Sequence, residues 1–464
     1  MIRRYFGTDG IRGQANEFPM TADMAMKVAM ASAVVIREHN NGNHQNRVVI
    51  GKDTRLSGYM LEQAMTAGFL AMGLDVLILG PIPTPGVAMM TRSLRADLGV
   101  MISASHNPYQ DNGIKLFGAD GFKLDDSLET EIENAIDNDI ASKLCSAEKM
   151  GKASRLDDAP GRYIEYIKST FPRGQTLSGL KVVIDCANGA AYKIAPKILW
   201  ELEADVISIG VNPNGKNIND GYGAVATDNL SRRVVEEQAD IGLALDGDAD
   251  RVILVDEKGQ VVDGDQILAL LALELQSRDL LSGKGVVATV MSNLGLERFL
   301  KENGLDMIRT KVGDRYVMEA MRQQGFNLGG EQSGHVIMTD FGSTGDGLMS
   351  GLQVLSALSR SSQKASEFLT LFEKCPQILK NVNFTPGDKP LDNESVKAAI
   401  SNSEKLLNGG GRIVVRPSGT QNIIRVMAEG DNANHVDEAV RGICDAITSL
   451  TPAERNTKLG SGSS

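Results

Sequence analysis

Leu98-Gly-Val-Met-Ile102 runs straight into Ser103-Ala-Ser105-His106-Asn107-Pro108. The apolar run reads as a short buried strand, and the polar run stops it abruptly. Strands that end this way set hydroxyls at the C-terminal edge of a sheet, where α/β folds bind ligands. Two readings compete on this segment alone. One is a nucleophilic or phosphorylated serine in a cleft. The other is a Ser/Asn turn that only ends a strand. The rest of the chain changes the balance, because it supplies partners for a phosphate.

Outward from that stretch, one layout occurs three times: apolar strand, polar loop, helix, second apolar strand. It runs from Val48-Val-Ile-Gly-Lys-Asp-Thr54 through a helix over Gly58–Met72 to Leu74-Asp-Val-Leu-Ile-Leu79. It recurs from Lys181-Val-Val-Ile-Asp185 through a helix near Ala190–Leu202 to Ala204–Ile209, and from Gly285-Val-Val-Ala-Thr289 through a helix near Leu294–Asn303 to Leu305–Thr310. Unbroken Val/Ile/Leu strands alternating with helices indicate mixed or parallel sheets covered on both faces. The copies share a pattern and not a sequence, which suggests three similar α/β domains. Joints are expected in the charged stretch Lys143–Pro160, at Gly259–Gly264 and over Pro376–Asn393. Beyond the last joint the pattern changes. Arg412–Arg416 and Ile423–Ala428 flank a turn in a β-hairpin, and a helix near Ala433–Ser449 follows, so a smaller α+β unit closes the fold.

The 464 residues exceed one ordinary core. With 42% hydrophobic and 23% charged residues the composition is that of a soluble globular chain. A net charge of −11 argues against a nucleic-acid or anionic-membrane surface. It leaves room for an anionic substrate held by a local cluster of Arg and Lys. Cys145, Cys186, Cys375 and Cys444 form no CxxC pair and fit reduced thiols in a cytoplasm. No apolar leader or membrane-spanning run is legible. Gly460–Ser464 reads as a flexible end.

Beside the serine stretch, three loops carry chemistry. Asp246-Gly-Asp248-Ala-Asp250-Arg251 places carboxylates at alternate positions, which can converge on one hard cation such as Mg²⁺ or Ca²⁺. Asp246, Asp248, Asp250 and Glu257 also fall at the ligand positions of an EF-hand loop. Arg251 stands where that loop needs glycine, and the flanks read as strands, so the EF-hand is rejected. In Gly329-Gly-Glu331-Gln332-Ser333-Gly334-His335, Glu331 and Ser333 can face one way and bond sugar hydroxyls. Arg416-Pro-Ser418-Gly419-Thr420 with Arg425 has the makings of an anion cup: turn amides, hydroxyls and two guanidiniums. Phe6-Gly-Thr-Asp-Gly-Ile-Arg12-Gly13 and Gly113-Ile-Lys115 say little alone.

Together, and in their order along the chain, these loops and the serine stretch resemble the α-D-phosphohexomutase superfamily from Phe6 to about Leu450. Gln332, where glucose and mannose relatives usually carry Met, and Lys311-Val-Gly-Asp314-Arg315-Tyr316 resemble its amino-sugar branch. Gln421-Asn422 departs from the usual Glu-Pro of the phosphate loop, while the Arg, Ser, Gly, Thr and second Arg remain. The resemblance implies three α/β domains with mixed sheets plus the smaller C-terminal domain around a central cleft. The division expected is 1–155 with the phosphoserine loop, 156–260 with the metal loop, 261–375 with the sugar loop, 376–452 with the phosphate loop, and a flexible tail 453–464.

By position the resemblance makes Ser105, and not Ser103, the phosphorylated serine. It implies interconversion of glucosamine 6-phosphate and glucosamine 1-phosphate through a sugar bisphosphate that also serves as activator. The product would feed UDP-N-acetylglucosamine and cell-wall precursor synthesis. One Mg²⁺ is expected on Asp246, Asp248, Asp250 and a phosphate oxygen of Ser105. The aspartates and phosphoserine total roughly −5, against +5 for Mg²⁺, Arg251, Lys115 and Arg12. Lys115, its pKa lowered by the cations nearby, would be the general acid/base, with Arg12 and His106 steadying the transferring group. Glu331, Gln332, Ser333, His335 and Asp314 would bind the sugar; Arg416, Ser418, Gly419, Thr420 and Arg425 would bind its idle phosphate. A phosphosugar is the expected partner, with neither nucleic acid nor membrane, in a cytoplasmic monomer or homodimer.

Overall fold

The computed structural model describes residues 4–39, 45–138, 140–385, 388–417 and 423–450. It divides into two compact units, Met1–Thr289 with Leu305–Leu371, and Val290–Gly304 with Phe372–Ser464. The first unit carries three mixed sheets.

Leu98–Ile102 lies inside a seven-stranded sheet, parallel to Arg47–Lys52 and antiparallel to Asp111–Gly118. All five of its residues are buried. Its neighbours continue on one side through Gly10–Gln14 to Phe6–Gly7, and on the other through Asp75–Pro81 to Ala153–Arg155. Side chains alternate as a pleat requires. Leu98, Val100 and Ile102 join Val48, Ile50 and the helices Ala22–His39, Ser57–Ala71 and Asp126–Ile136 in one core.

The second sheet has five strands. Lys181–Asp185 lies parallel to Asp205–Ile209 and Ile241–Leu245, and Ile241–Leu245 turns back antiparallel into Val252–Asp256. The third has four, with Gly285–Thr289 parallel to Asp306–Thr310 and Leu328–Gly330, and Val336–Met338 antiparallel at its edge. The apolar runs Val48–Ile50, Leu98–Ile102, Val182–Ile184, Ile241–Leu245 and Val286–Ala288 lie in parallel pairings. The four cysteines are free thiols.

In the second unit, Gln377–Asn383 and Gly411–Pro417 flank Ile423–Gly430 in an antiparallel three-stranded sheet. The helices Glu394–Leu407 and Ala433–Thr448 share its core through Val396, Leu407, Val436, Val440 and Ile443. The helix Leu294–Glu302 groups with this unit. Leu294 N donates to Glu429, Asn293 Nδ2 donates to the Cys375 carbonyl at 3.0 Å, and the Phe299 and Phe372 rings lie 5.8 Å apart.

Stretches read as joints hold strands. Ala153–Arg155 lies in the charged stretch, Val261–Val262 between Gly259 and Gly264, and Gln377–Asn383 in the last joint. All three sit at sheet edges. An edge strand contributes its backbone to the ladder while its side chains stay partly exposed, so no apolar run announces it. The helix expected from Ala190 begins at Ile194. Among the described residues no helix is long and apolar enough to cross a membrane.

Candidate active site

Where Leu98–Ile102 ends, the two serines part. Ser103 Oγ donates to Asp53 at 2.5 Å and accepts the Ser105 N–H at 2.9 Å. Arg55, fully buried, pairs with Asp53 and donates to the Ser105 and Asn107 carbonyls. Asn219 of the second sheet's loops donates to the same two carbonyls, each at 2.9 Å. The serine turn is thus clamped from two sides. Ser105 is held at φ +53°, a left-handed conformation that costs a non-glycine residue about 1–3 kcal/mol. The strain aims Ser105 Oγ at Asp246, to which it donates at 2.5 Å.

Asp246, Asp248 and Asp250 occupy the turn between Ile241–Leu245 and Val252–Asp256. One oxygen from each lies within 4.8 Å of the others, and all three residues are buried. Burial and then the Asp250 and Asp248 charges push the Asp246 carboxyl well above the usual range. Burial acts on Asp250 too, but Lys115 and His335 outweigh it and hold that carboxyl well below the range. Asp248 Oδ1 and Asp250 Oδ1 are buried with no hydrogen-bond partner. Buried lone pairs without donors, on converging hard oxygen ligands, fit a Mg²⁺-type ion. Glu257, the remaining EF-hand position, faces elsewhere and accepts from Ser366 N at 2.8 Å and Ser366 Oγ at 2.6 Å.

Lys115 comes from Asp111–Gly118, directly across from Met101. Its Nζ lies 2.8 Å from Asp248, 3.2 Å from Asp250 and 3.2 Å from Asp9. The lowering expected for its pKa counted the charge of a metal and a nearby arginine; the protein groups alone act in the opposite direction. Burial does lower it, but Asp248, Asp9 and Asp250 outweigh burial and hold the ammonium well above its ordinary value. The expectation counted cations around Lys115 and missed Asp9. Arg12 pairs with Asp9 and reaches the Ala104 carbonyl at 3.4 Å. His106 is pushed down to about 4 by burial, Arg251 and Arg12, so it is a neutral imidazole near pH 7, and its Nδ1 is buried without a partner. Arg251 donates its N–H to Asp246 at 3.2 Å and sets its guanidinium 3.8 Å from Asp250.

In the third sheet's loops, Ser333 Oγ donates to Glu331 at 3.4 Å, so the pair does share a direction. Glu331 also accepts the Gly313 N–H at 3.0 Å. Gln332 is half-buried beside them. His335 does not open outward with them. It is buried, with Nδ1 3.6 Å from Asp250 and Nε2 3.5 Å from Asp314. Asp314 in turn pairs with Lys123, and Arg315 with Glu129 and Asp126. In the second unit Arg416 and Arg425 are directly cross-strand. Like charges so placed repel unless an anion joins them. Ser418, Gly419, Thr420 and the Gln421-Asn422 departure lie outside the described residues.

Sequence reasoning missed Asp9, Lys123, Asn219, Arg55 and Thr84, whose Oγ1 donates to Asp248 at 2.6 Å. For Asp53 and Arg55 a signal existed: they follow the buried strand Arg47–Lys52 as the serines follow Leu98–Ile102. For Asp9 there was only a glycine-punctuated loop shared with Arg12, and for Lys123 none, since Asp9 and Asp314 are distant from it in the chain.

The chain matches, in order, phosphoglucomutase/phosphomannomutase alpha/beta/alpha domain I over residues 3–143, domain II over 161–259, domain III over 263–375, and the C-terminal domain over 379–446. It is 58% identical over 453 residues to the phosphoglucosamine mutase of Rhizobium johnstonii, covering 98% of this chain and 100% of that one. It is 60% identical over 447 residues to that of Novosphingobium aromaticivorans, covering 96% and 99%. A crystal structure of a phosphoglucomutase/phosphomannomutase family protein from Burkholderia thailandensis superposes with a TM-score of 0.79 at 23% identity, covering 95% of this chain and 97% of that one. Four family domains in sequence, on three mixed α/β sheets and a smaller C-terminal one, make this chain a member of the phosphoglucomutase/phosphomannomutase family.

Proposed function

We propose that the protein interconverts glucosamine 6-phosphate and glucosamine 1-phosphate through a phosphorylated Ser105. The observation that carries the reading is Ser105 Oγ, strained into place 2.5 Å from a buried aspartate trio. The amino-sugar assignment is supported by the whole-length identity to phosphoglucosamine mutases.

Phospho-Ser105 gives its phosphoryl group to the free sugar hydroxyl. The bisphosphate reorients, and Ser105 takes back the other phosphoryl group. Asp246, Asp248 and Asp250, with a phosphate oxygen of Ser105, would hold Mg²⁺, which supplies charge neutralisation as a Lewis acid. Lys115 exchanges the proton of the sugar hydroxyl. With Asp248 and Asp250 engaged by Mg²⁺, their grip on the Lys115 ammonium would weaken. Arg12 and neutral His106 steady the transferring group. Glu331 and Ser333 accept and share the sugar hydroxyls, with Gln332 and Asp314 beside them. Arg416 and Arg425, joined by Ser418, Gly419 and Thr420, supply phosphate-binding charge. His335, between two carboxylates, serves as support for Asp250 and not as a sugar ligand. A sugar bisphosphate acts as activator by phosphorylating Ser105. A cytoplasmic monomer or homodimer completes the reading, and the domain limits 1–155, 156–260, 261–375 and 376–452 go with it.

The test is intact mass before and after phosphatase treatment, followed by coupled assay on glucosamine, glucose and mannose 6-phosphates. Multiple turnover fastest on the glucosamine ester supports the proposal. Preference for glucose or mannose assigns the chain to another branch, and steady release of inorganic phosphate without isomerisation overturns the mutase reading.

A further inference from the structure

Six ionisable side chains close a ring in the first unit, acidic and basic residues alternating around it. Asp250 lies beside His335, His335 beside Asp314, Asp314 beside Lys123, Lys123 beside Asp9, Asp9 beside Lys115, and Lys115 beside Asp250. Four of these six stand in the mechanism above: Asp250 as metal ligand, His335 as its support, Lys115 as acid/base and Asp314 on the sugar side. Lys123 and Asp9 have no role there. We propose that Lys123 is a positioning residue for phosphoryl transfer: it divides the Asp9 carboxylate so that Arg12 and Lys115 share one oxygen, and it anchors Asp314 against His335.

The division is visible atom by atom. Asp9 Oδ1 takes Lys123, while Oδ2 takes both Arg12 and Lys115. Asp314 Oδ2 takes Lys123 and faces His335 Nε2 at 3.5 Å. Without the Lys123 ammonium, both Asp9 oxygens are free to turn to Arg12 and Lys115 and draw those heads off the reacting centre. Asp314 loses its cation and pulls on His335, which backs Asp250. The Lys123 side chain is only 11% exposed, so water does not fully replace it. Holding the first and third sheets together does not require Lys123. Arg315 already joins Glu129 and Asp126, and Ser343 Oγ donates to the Gly121 carbonyl at 2.6 Å. What Lys123 contributes beyond that is the sharing of Asp9 and the anchoring of Asp314.

Lys123 and Asp314 also line a cavity of about 650 Å³ with Phe122, Ser127 and Tyr316. It is large enough to admit a small alkylammonium to the place of a truncated lysine.

The inference rests on the phosphoryl-transfer reading, so the native chain is assayed first on glucosamine 6-phosphate; no turnover there overturns both. With native turnover established, Lys123→Met is expected to lower kcat by about 10–100-fold, as loss of supporting shells around a site does, with KM held within about threefold. In Lys123→Ala, ethylammonium is expected to restore kcat saturably, while propan-1-ol, a neutral alcohol one heavy atom larger, does not. Lys123→Arg keeps the charge and hence the fold, but its fork takes both Asp9 oxygens; kcat falls again with KM held. A folded Lys123→Met within about twofold of native kcat, native kcat in Lys123→Arg, or equal recovery with ethylammonium and propan-1-ol overturns the proposal.

Discussion

Gly247→Ala tests whether the spacing of two loops sets the rate. Gly247 separates Asp246 from Asp248, and its backbone is in a region alanine can adopt, so only contact opposes the change. An added Cβ would meet the Ser105 carbonyl oxygen at 2.6 Å, Ile218 Cδ1 at 2.8 Å and Asn219 Nδ2 at 2.9 Å. Ile218 can rotate away. The Ser105 carbonyl is fixed by Arg55 and Asn219, and the Gly247 carbonyl accepts the Ala190 N–H at 2.8 Å. Relief to an ordinary 3.4 Å contact therefore moves the serine turn from the aspartate turn by 3.4 − 2.6 = 0.8 Å. That opens the 2.5 Å approach of Ser105 Oγ to Asp246. Overpacking of this kind costs about 1–3 kcal/mol of stability, and misplacement near 1 Å costs about 100-fold in rate. Urea denaturation reads the first and a coupled assay on glucosamine 6-phosphate the second. Gly161→Ala is the control: exposed in Ala159–Ser169 with nothing near its Cβ, it should leave the rate alone and add up to about 1 kcal/mol of stability. Near-native kcat in Gly247→Ala, with the stability loss present, would refute the claim that loop spacing governs transfer.

Ser105→Ala is expected to abolish turnover with the fold intact. Ser103→Ala should instead cost about 1–3 kcal/mol of stability, since buried Asp53 and the Ser105 N–H lose a partner, and should retain turnover; the reverse pattern in assay and urea melts would exchange their roles. Asp248→Asn removes a charge from the trio and should raise the Mg²⁺ midpoint in calorimetric titration while lowering kcat; an unchanged titration would show the ion is held elsewhere. Asp346→Asn should change the pH dependence of stability. Burial raises the Asp346 carboxyl from 3.8 to about 6 against the bonds from Met349 N and Tyr163 OH. Between those values the folded state binds the extra proton, so this group's contribution declines as pH rises from about 4 to 6. Asparagine keeps the helix cap and the Tyr163 bond without that decline. Relative to native, the variant should gain stability across this window in urea melts at pH 4.5 and 7, and parallel profiles would argue against the assignment.

Much of the site was legible in the chain because its loops are local. Leu98–Ile102, Ile241–Leu245 and Val252–Asp256 each announce themselves as apolar runs, and the polar residues after the first two form the candidate site. The mixed sheets followed from the same runs, and the edge strands Ala153–Arg155, Val261–Val262 and Gln377–Asn383 did not, because exposed backbone pairing leaves no mark on side-chain pattern. His335 was grouped with Glu331 and Ser333 by proximity in sequence, but the fold turns its ring inward between Asp250 and Asp314.

By itself the sequence determined which residues could supply a metal ligand set, a nucleophile and sugar-binding groups, since each set lies within a few residues of chain. The tertiary structure decided which serine meets the carboxylates, that Lys115 stands among anions, and that Asp9 and Lys123 join the site at all. Ser105 and Asp246 are 141 positions apart, and Lys123 and Asp314 are 191 apart. Electrostatic energy depends on distance through space and on burial, and neither is written in the spacing along the chain.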